Sequence, residues 1–437
     1  MSEAKGMIIK MYEWQLSRKL ERVISSNIYS PTDTNNNKIF FQKGNGAYIY
    51  DYNDKEYIDF NNGKGSILLG HNDEEVNHSI IKLIKENKGT LTGPHKYILE
   101  LTDLILESLP ENIKQVTFFS TGTEAVRAAR FLAKDITNKP YVLSAGYHGW
   151  DSIWKFSGSL LEPNENGIID FFFSINLLKE ALKKYENKIA AIIISPELTY
   201  VEKSVYKELF KLAKESGILI ICDDVKQGFR YERGSSLNQL DLEADLYTFS
   251  KGLSNGKRLS VLVGSERHMK NSFGYSYTAY YEPITYISAI ATMKKMIRLN
   301  GYEEIKTAGD TFIERMSGHF EKYNLPIEIQ GNGNLFQFIF EYSDLENDFY
   351  ENATQQGVLF FKGDNQCPSL ALTDEIYSLV EKRLIFVLEK LSENYKEYKG
   401  NRISERSRFY RAWAQMDGAA SIFNVDEIEE IRKILRI

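Results

Sequence analysis

A lysine and an aspartate with the chemistry of a catalytic pair each follow an apolar segment of this sequence. Asp223 comes directly after the run 218–222, and Lys251 follows the run 246–249 and one serine. A carboxylate at the end of a buried strand needs a cationic or strongly donating partner. A lysine in a pocket can have a lowered pKa and act as a nucleophile or a general base. Each residue also has an ordinary interpretation, because most lysines are solvated and Asp223 could form a structural salt bridge with Arg230.

A helix-opening segment, Ser-Thr-Gly-Thr-Glu-Ala at 120–125, suits a bound anion. Gly122 lets the backbone approach closely, and the helix N-terminus offers free amide groups. The hydroxyls of Thr121 and Thr123 add two further donors. The simpler interpretation is a helix cap formed by Ser120 or Thr121.

A tyrosine and a histidine follow another apolar run, at 141–143. The ring of Tyr147 could cover a flat ligand and His148 could be catalytic, although a core tyrosine and a structural histidine are the ordinary alternatives. Together, an anion site, a ring-stacking tyrosine, a strand-end aspartate and a strand-end lysine match pyridoxal phosphate. Its phosphate, flat ring, pyridine nitrogen and aldehyde each require one of these residue types.

Continuous apolar runs alternate with helical patterns between about residues 70 and 265. Such runs are typical of strands that are buried on both faces of a largely parallel sheet. The pattern predicts an α/β domain of about 200 residues with helices on both faces of its sheet. In such sheets ligands bind beyond the carboxyl ends of the strands, where all four polar segments fall. The predicted strands are 116–119, 141–143, 190–194, 218–222, 246–249 and 260–263, and the predicted helices are 77–87, 97–108, 123–134, 176–186 and 204–216.

The remaining segments predict a second, smaller α+β domain. Residues 47–50 and 56–59 flank a turn and form a predicted hairpin. The predicted organisation is an N-terminal segment at 1–65 that contributes to the small domain, a large domain at 66–300, and a C-terminal small domain at 301–437. Helices are also expected at 285–299, 303–322, 374–394 and 425–436, and a strand is expected near 335–341.

The composition argues against several classes of protein. The 437 residues carry 54 lysines and arginines against 60 aspartates and glutamates, and this net charge of −6 argues against a general nucleic-acid scaffold. Cys222 and Cys367 are too few for a disulfide framework or a four-cysteine zinc site, which favours a reducing compartment. The sequence shows no signal-peptide core and no apolar run of membrane-spanning length. We therefore expect a cytoplasmic protein with no bound metal and no nucleic-acid or membrane partner.

A set of motifs occurs in order between about residues 24 and 391. They are Ser30-Pro31-Thr32-Asp33, Gly46-Ala47-Tyr48, Tyr57-Ile58-Asp59-Phe60, Ile67-Leu68-Leu69-Gly70-His71, Thr121-Gly122-Thr123-Glu124-Ala125, Tyr147-His148-Gly149, Asp223-Asp224-Val225 and Ser250-Lys251-Gly252. With this ordered set, the sequence resembles the class III (subgroup II) aminotransferases, which are fold-type I pyridoxal-phosphate enzymes. Within that family it looks most like glutamate-1-semialdehyde aminomutase.

This resemblance implies a role for each residue around the cofactor. Lys251 would form a Schiff base with pyridoxal phosphate and move a proton at the substrate carbon, while Asp223 would pair with the ring nitrogen. Tyr147 would stack on one face of the ring and Val225 would pack against the other. His148, from the same motif as Tyr147, is also assigned to the cofactor site.

The resemblance also assigns the phosphate of the cofactor and a partner subunit. Thr121, Gly122 and Thr123 would hold the phosphate. Thr278 occupies the place of a family threonine that reaches the phosphate of the neighbouring subunit. That role implies a homodimer whose active sites are shared across an isologous interface.

Two departures from the aminomutase pattern bear on the substrate. Asp33 stands where that enzyme has a carboxylate-binding arginine, and Lys64 stands in place of its pocket tryptophan. With Ser30, these are the predicted substrate-binding residues. An ionised aspartate repels a substrate carboxylate. Asp33 and the tyrosine-rich stretch 275–281 therefore favour a polyhydroxylated or cationic acceptor, such as a sugar or amino-sugar intermediate.

The predicted function is a pyridoxal-phosphate-dependent aminotransferase that moves an amino group from a small donor, such as glutamate, to a ketone or aldehyde acceptor. The alternative within the family is an intramolecular amino shift of the aminomutase type. A phosphate-binding NTPase is a weaker alternative, because the stretch 252–258 is one residue short of a P-loop and lacks the Ser/Thr after its lysine. A serine hydrolase is equally weak, since the GxSxG pattern at 252–256 precedes a predicted strand rather than a helix.

Overall fold

The computed structural model describes Pro31 and residues 38–416, which form two compact units. The small unit contains the described residues up to Glu74 together with Glu304–Ser407. The large unit contains Glu75–Glu303 and residues 408–416. Ser30, Asp33 and the helix predicted at 425–436 lie outside the described residues.

The limits of these units differ from the domain limits that we predicted at residues 65/66 and 300/301. His71 forms an isolated bridge with Gly46, and this pairing joins the residues after 65 to the N-terminal hairpin. Phe409 is buried in the core of the large unit, so the residues after 407 leave the small unit.

The secondary structure alternates between strands and helices through most of the chain. The strands are β1 (Phe41–Asn45), β2 (Tyr48–Asp51), β3 (Glu56–Asp59), β4 (Gln115–Phe119), β5 (Tyr141–Ala145), β6 (Ile168–Asp170), β7 (Ile189–Ile194), β8 (Leu219–Asp224), β9 (Leu246–Phe249), β10 (Ser260–Gly264), β11 (Ile327–Asn332), β12 (Leu335–Phe340) and β13 (Val358–Leu359). The helices are α1 (Glu74–Lys85), α2 (Lys96–Leu106), α3 (Gly122–Thr137), α4 (Ile175–Lys184), α5 (Lys203–Glu215), α6 (Glu266–Met269), α7 (Pro283–Arg298), α8 (Gly301–Tyr323), α9 (Ser343–Gln355), α10 (Asp374–Asn394) and α11 (Glu405–Met416).

The large unit is built on a seven-stranded sheet of order β4-β10-β9-β8-β7-β5-β6. Only β10 runs antiparallel to its neighbours, so the predicted mostly parallel sheet is confirmed. Every residue of β7, Ile-Ala-Ala-Ile-Ile-Ile, is buried, as expected for a central strand covered on both faces. The short strand β6 was not predicted, because its three residues are too few for a periodic signal.

The carboxyl ends of four neighbouring strands lie in register at one edge of this sheet. Ala145 of β5 pairs with Ile194 of β7, and Ile194 pairs with Cys222 of β8. The pairing of β8 with β9 continues through Asp223 and Thr248, so β8 extends two residues beyond the predicted strand. Asp223 therefore lies inside the end of the strand rather than after it.

The small unit combines two sheets with three helices. One sheet has the order β1-β2-β3-β13, and its β2–β3 pair is the predicted hairpin. The other sheet is the antiparallel pair β11–β12. Aromatic side chains fill the core between these elements, with Phe60 in ring contact with Phe312, Phe336 and Phe360. No helix among the described residues is long and apolar enough to cross a membrane.

Candidate active site

Asp223 and His148 form a buried pair at the carboxyl edge of the large sheet. The Oδ2 atom of Asp223 lies 2.8 Å from Nδ1 of His148, and both side chains are nearly inaccessible to solvent. Oδ1 of Asp223 accepts hydrogen bonds from the Val225 amide at 3.2 Å and from Thr248 Oγ1 at 3.5 Å. The ordinary interpretation of Asp223 was a salt bridge with Arg230, whereas the structure pairs Asp223 with His148. This carboxylate is therefore oriented from three directions, by the loops after β5 and β8 and by strand β9.

Two glycines bring three loops of this edge into contact. A Cβ atom on Gly122 would lie 2.6 Å from Cγ1 of Val225, so the start of α3 packs directly against the segment after β8. A Cβ atom on Gly149 would lie 2.5 Å from Oγ1 of Thr123, and Gly149 has a left-handed φ of 101°. Both positions require glycine, because any side chain would push these loops apart.

The N-terminus of α3 has a capping box that leaves two amide groups for a ligand. The Oε2 atom of Glu124 accepts hydrogen bonds from the amides of Ser120 at 3.1 Å and Thr121 at 2.7 Å. The amide of Glu124 in turn donates to Thr121 Oγ1, so Thr121 is the helix cap that we gave as the simpler interpretation. Within the described chain, no protein acceptor takes the amides of Gly122 and Thr123. First-turn amides of this kind bind phosphate groups.

Lys251 begins a short 3₁₀ turn directly after β9. Its φ is 40°, a left-handed conformation that costs a non-glycine residue about 1 kcal/mol or more. Thr248, three residues before Lys251, is the register partner of Asp223, so Lys251 and Asp223 lie at the ends of adjacent strands. Ser254 of the GxSxG pattern is buried, donates to the Lys257 carbonyl oxygen at 2.6 Å and precedes strand β10. It does not have the strand–turn–helix setting of a hydrolase nucleophile.

Three other predicted site residues, Tyr147, Thr278 and Lys64, are exposed to solvent. Tyr147 is 51% exposed, so it is not the core residue of the ordinary alternative and its ring is accessible to a ligand. Thr278 is also exposed. Lys64 belongs to the small unit, where it is exposed in the left-handed turn Asn62–Gly65 and its Nζ lies 5.6 Å from the Phe361 ring centroid.

Sequence reasoning missed two features at this edge. The contact between His148 and Asp223 joins residues 75 positions apart, and only their common placement after neighbouring strands could have suggested it. Asp170, at the end of the unpredicted strand β6, is the second feature. Burial raises the pKa of Asp170 to about 7, while a hydrogen bond with Ser144 acts in the opposite direction.

The residues present fit pyridoxal phosphate. A buried carboxylate held by a histidine can face a protonated ring nitrogen, and the open amides of α3 can hold a phosphate. Lys251 supplies the amine that the aldehyde needs. No group of three or more His, Cys, Asp or Glu residues that could hold a metal ion occurs in the part of the chain that the structure describes.

Comparisons with known proteins give the same family throughout. A family model described as "Aminotransferase class-III" matches residues 29–155 and 164–382. The 2'-deamino-2'-hydroxyneamine transaminase of Streptomyces kanamyceticus is 29% identical over 69% of this chain and 78% of its own length. The glutamate-1-semialdehyde 2,1-aminomutase of Nitrosopumilus maritimus is 30% identical over 78% of this chain and 86% of its own length.

Solved structures show the same fold. An omega-transaminase from Sphaerobacter thermophilus has a TM-score of 0.77 at 19% identity, over 87% of this chain and 97% of its own. A structure described as a transaminase with PLP bound has a TM-score of 0.78 at 20% identity, over 89% of this chain and 98% of its own. The predicted fold-type I architecture is therefore confirmed.

Proposed function

This chain belongs to the class III aminotransferases, which depend on pyridoxal phosphate, and we propose that it moves an amino group from glutamate to a carbonyl group on a sugar-like acceptor. The observation that carries the assignment of the site is the Asp223–His148 pair beside the strand end that bears Lys251. These groups belong to the ends of β5, β8 and β9, where ligands of α/β sheets bind.

Each side chain has one task in this proposal. When bound, pyridoxal phosphate would supply an aldehyde that condenses with the donor amine, releasing water, and a ring that withdraws electrons from the reacting carbon. Lys251 would move a proton between the substrate carbon and the cofactor, in the manner of a general base and acid. Asp223 keeps a proton on the ring nitrogen, and His148 orients the Asp223 carboxylate. Val225 would pack against one ring face and Tyr147 would cover the other.

The phosphate of the cofactor is assigned to the start of α3. The amides of Gly122 and Thr123 would hold it, with Thr123 Oγ1 as a further donor. Thr121 and Glu124 form the capping box that stabilises this helix end. Thr278 would reach the phosphate of a second copy. The homodimer this requires is consistent with Phe273, which lies five residues before Thr278 and is 100% exposed.

The amino-sugar acceptor is supported by one relative and by the sequence. The relative from Streptomyces kanamyceticus is named for a neamine derivative, which is an amino sugar joined to an aminocyclitol. Asp33 in place of an arginine also favours a cationic acceptor over a keto acid. If Asp33→Ala leaves activity on sugar acceptors unchanged and a keto acid remains the best acceptor, this part of the proposal fails. A cytoplasmic location is supported by the cysteine content, because the chain has only two cysteines and both are buried.

The assignment of Lys251 can be tested by spectroscopy. The purified protein should absorb in the visible Schiff-base region, and borohydride should bleach that band. Lys251→Ala should lose the band and transfer no amino group from glutamate. Lys257→Ala, which removes a nearby lysine of the same loop, is the matched control and should keep both. A Lys251→Ala protein with the original band would refute the role of this lysine.

An intramolecular amino shift is the second candidate, because the aminomutase of Nitrosopumilus maritimus is as similar as the transaminase. An aminomutase needs no separate amino donor. Product formation from an amino-aldehyde substrate without glutamate would favour this candidate over the transaminase.

A further inference from the structure

The loop of residues 255–259 enters strand β10 from the carboxyl edge of the large sheet and carries two adjacent cations, Lys257 and Arg258. Because β10 runs antiparallel to its neighbours, its first residue lies at the edge where those strands end. Ser260 accordingly pairs with Phe119, the last residue of β4. The two cations therefore lie at the edge of the sheet to which we assign the cofactor.

Two serine hydroxyls fasten this loop to the elements on either side of it. Ser250, directly before Lys251, donates its hydroxyl to the Leu259 carbonyl oxygen at 2.8 Å. Ser260 donates its hydroxyl to the carbonyl oxygen of Thr121, the cap of α3, at 2.6 Å. Both serines are buried. The loop is thus fixed between the strand end that bears Lys251 and the start of α3.

The alternation of side chains places Arg258 on the same side of the sheet as α3. Leu259 and Val261 belong to one hydrophobic core, whereas the side chain of Ser260, between them, reaches α3. Successive residues of an extended segment point to opposite faces, so Arg258 falls on the same face as Ser260. Two extended residues span at most about 7 Å, which is close to the length of an arginine side chain. The Arg258 guanidinium can therefore reach the first turn of α3.

The side chain of Arg258 is available to a ligand. It is exposed, and it forms no ion pair or hydrogen bond with any residue that the structure describes. A planar guanidinium offers a rigid fork of donors that matches the oxygens of a phosphate group. An arginine in this setting is suited to bind an anionic ligand at the carboxyl edge.

The donors assigned to the phosphate at the start of α3 are all neutral. They are the amides of Gly122 and Thr123 and the Thr123 hydroxyl, and a helix N-terminus contributes only about half a positive charge. A phosphate group carries a charge of about −1.5 to −2 at pH 7. The Glu124 carboxylate, which accepts the amides of Ser120 and Thr121 at the same helix end, adds repulsion. A cation is needed to offset this negative charge.

We propose that the guanidinium of Arg258 binds the phosphate of pyridoxal phosphate, together with the amides at the start of α3. Arg258 then supplies the positive charge that the amides lack, and it comes from the same subunit as Lys251. This inference rests on the proposed function, since it concerns the cofactor of the proposed aminotransferase.

Titration of the cofactor-free, full-length protein with pyridoxal phosphate and with pyridoxal tests this inference. Both probes carry the ring and the aldehyde, but only the first carries the phosphate. Arg258→Gln should weaken the binding of pyridoxal phosphate about 10- to 100-fold, the effect of losing a charged hydrogen bond, and leave that of pyridoxal unchanged. Arg258→Lys should restore part of the affinity, because it keeps the charge without the fork of donors. Lys257→Gln removes the neighbouring exposed cation and is the matched control, in which both affinities should be unchanged.

The outcomes separate this inference from the proposed function. Unchanged affinity of Arg258→Gln for pyridoxal phosphate, or an equal loss for both probes, overturns the role of Arg258. The same loss in Lys257→Gln also overturns it, because the effect would then come from the net charge of the loop. A second assay measures amino transfer from glutamate to a carbonyl-bearing sugar by the native protein. Transfer together with an unchanged affinity of Arg258→Gln refutes the role of Arg258 alone. A selective loss in Arg258→Gln without transfer by the native protein supports Arg258 and refutes the proposed function.

Discussion

Replacing Gly122 by alanine should disturb the packing between the start of α3 and the segment after β8, because the atoms nearest to the added Cβ belong to Val225. The added Cβ would lie 2.6 Å from Cγ1 and 2.9 Å from Cγ2 of Val225. Carbon atoms in contact are about 3.5–4.0 Å apart, so one of the two segments must move by roughly 1 Å. That movement would alter the gap between the start of α3 and the end of β8, where we place the cofactor.

Two opposing effects set the size of the change. Gly122 begins α3, and alanine favours a helix over glycine by at most about 1 kcal/mol. Forcing a methyl group into a packed site costs about 1–3 kcal/mol. We therefore expect Gly122→Ala to lose about 1–2 kcal/mol of unfolding free energy. Its affinity for pyridoxal phosphate should fall as well, because Val225 is displaced from its position.

A double-mutant cycle measures this contact directly. Val225→Ala removes both γ carbons, so the added methyl group has room in Gly122→Ala/Val225→Ala. Urea unfolding should then show the double variant to be about 0.5–2 kcal/mol more stable than the sum of the single changes predicts. Gly93→Ala is the control, because a Cβ there has no neighbour within 4 Å. Strictly additive changes would refute the steric role of Gly122.

Three further predictions follow from buried groups. Burial raises the pKa of Asp170 to about 7, so the folded state holds a proton that the unfolded state releases near pH 4. The stabilising effect of Asp170 is complete below pH 4 and is lost as the pH rises through 7, so the melting temperature should fall over this range. Asp170→Asn should reduce that fall. His148→Phe leaves the Asp223 carboxylate without its 2.8 Å partner, and we expect a loss of about 3 kcal/mol in urea unfolding and weaker cofactor binding. Phe60→Ala, at a fully buried ring of the small unit, should cost about 3–5 kcal/mol without altering hydrogen exchange in the large sheet.

Local signals in the sequence were sufficient to predict most strands of the large sheet. Six of its strands produced continuous apolar runs, and the β2–β3 hairpin has an unambiguous turn. The end of β8 was misplaced by two residues, because acidic side chains normally mark the end of a strand. Only the pairing with β9 shows that Asp223 and Asp224 continue the ladder.

The contacts that shape the site could not be read from the sequence alone. The sequence placed Gly122 and Val225 after different strands, but their packing depends on the sheet order, in which β10, β9 and β8 follow β4. The pairing of His148 with Asp223 depends in the same way on β7 lying between β5 and β8.

Two adjacent buried carboxylates at the end of β8 need an explanation, because neighbouring negative charges repel each other strongly in a dry environment. Successive side chains of a strand point to opposite faces of the sheet, which separates the two groups. Asp224 accepts hydrogen bonds from Ser235 Oγ at 2.6 Å and from the amide and hydroxyl of Ser236, while burial raises its pKa to about 6. That face fixes the loop after β8 and has no capacity left for a ligand. Asp223, on the other face, has His148 as its hydrogen-bonded partner, and a protonated ring nitrogen would supply a cation there. The division of tasks follows from the two-residue period of the strand, so exchanging the partners of the two carboxylates would require shifting the register of β8 by one residue.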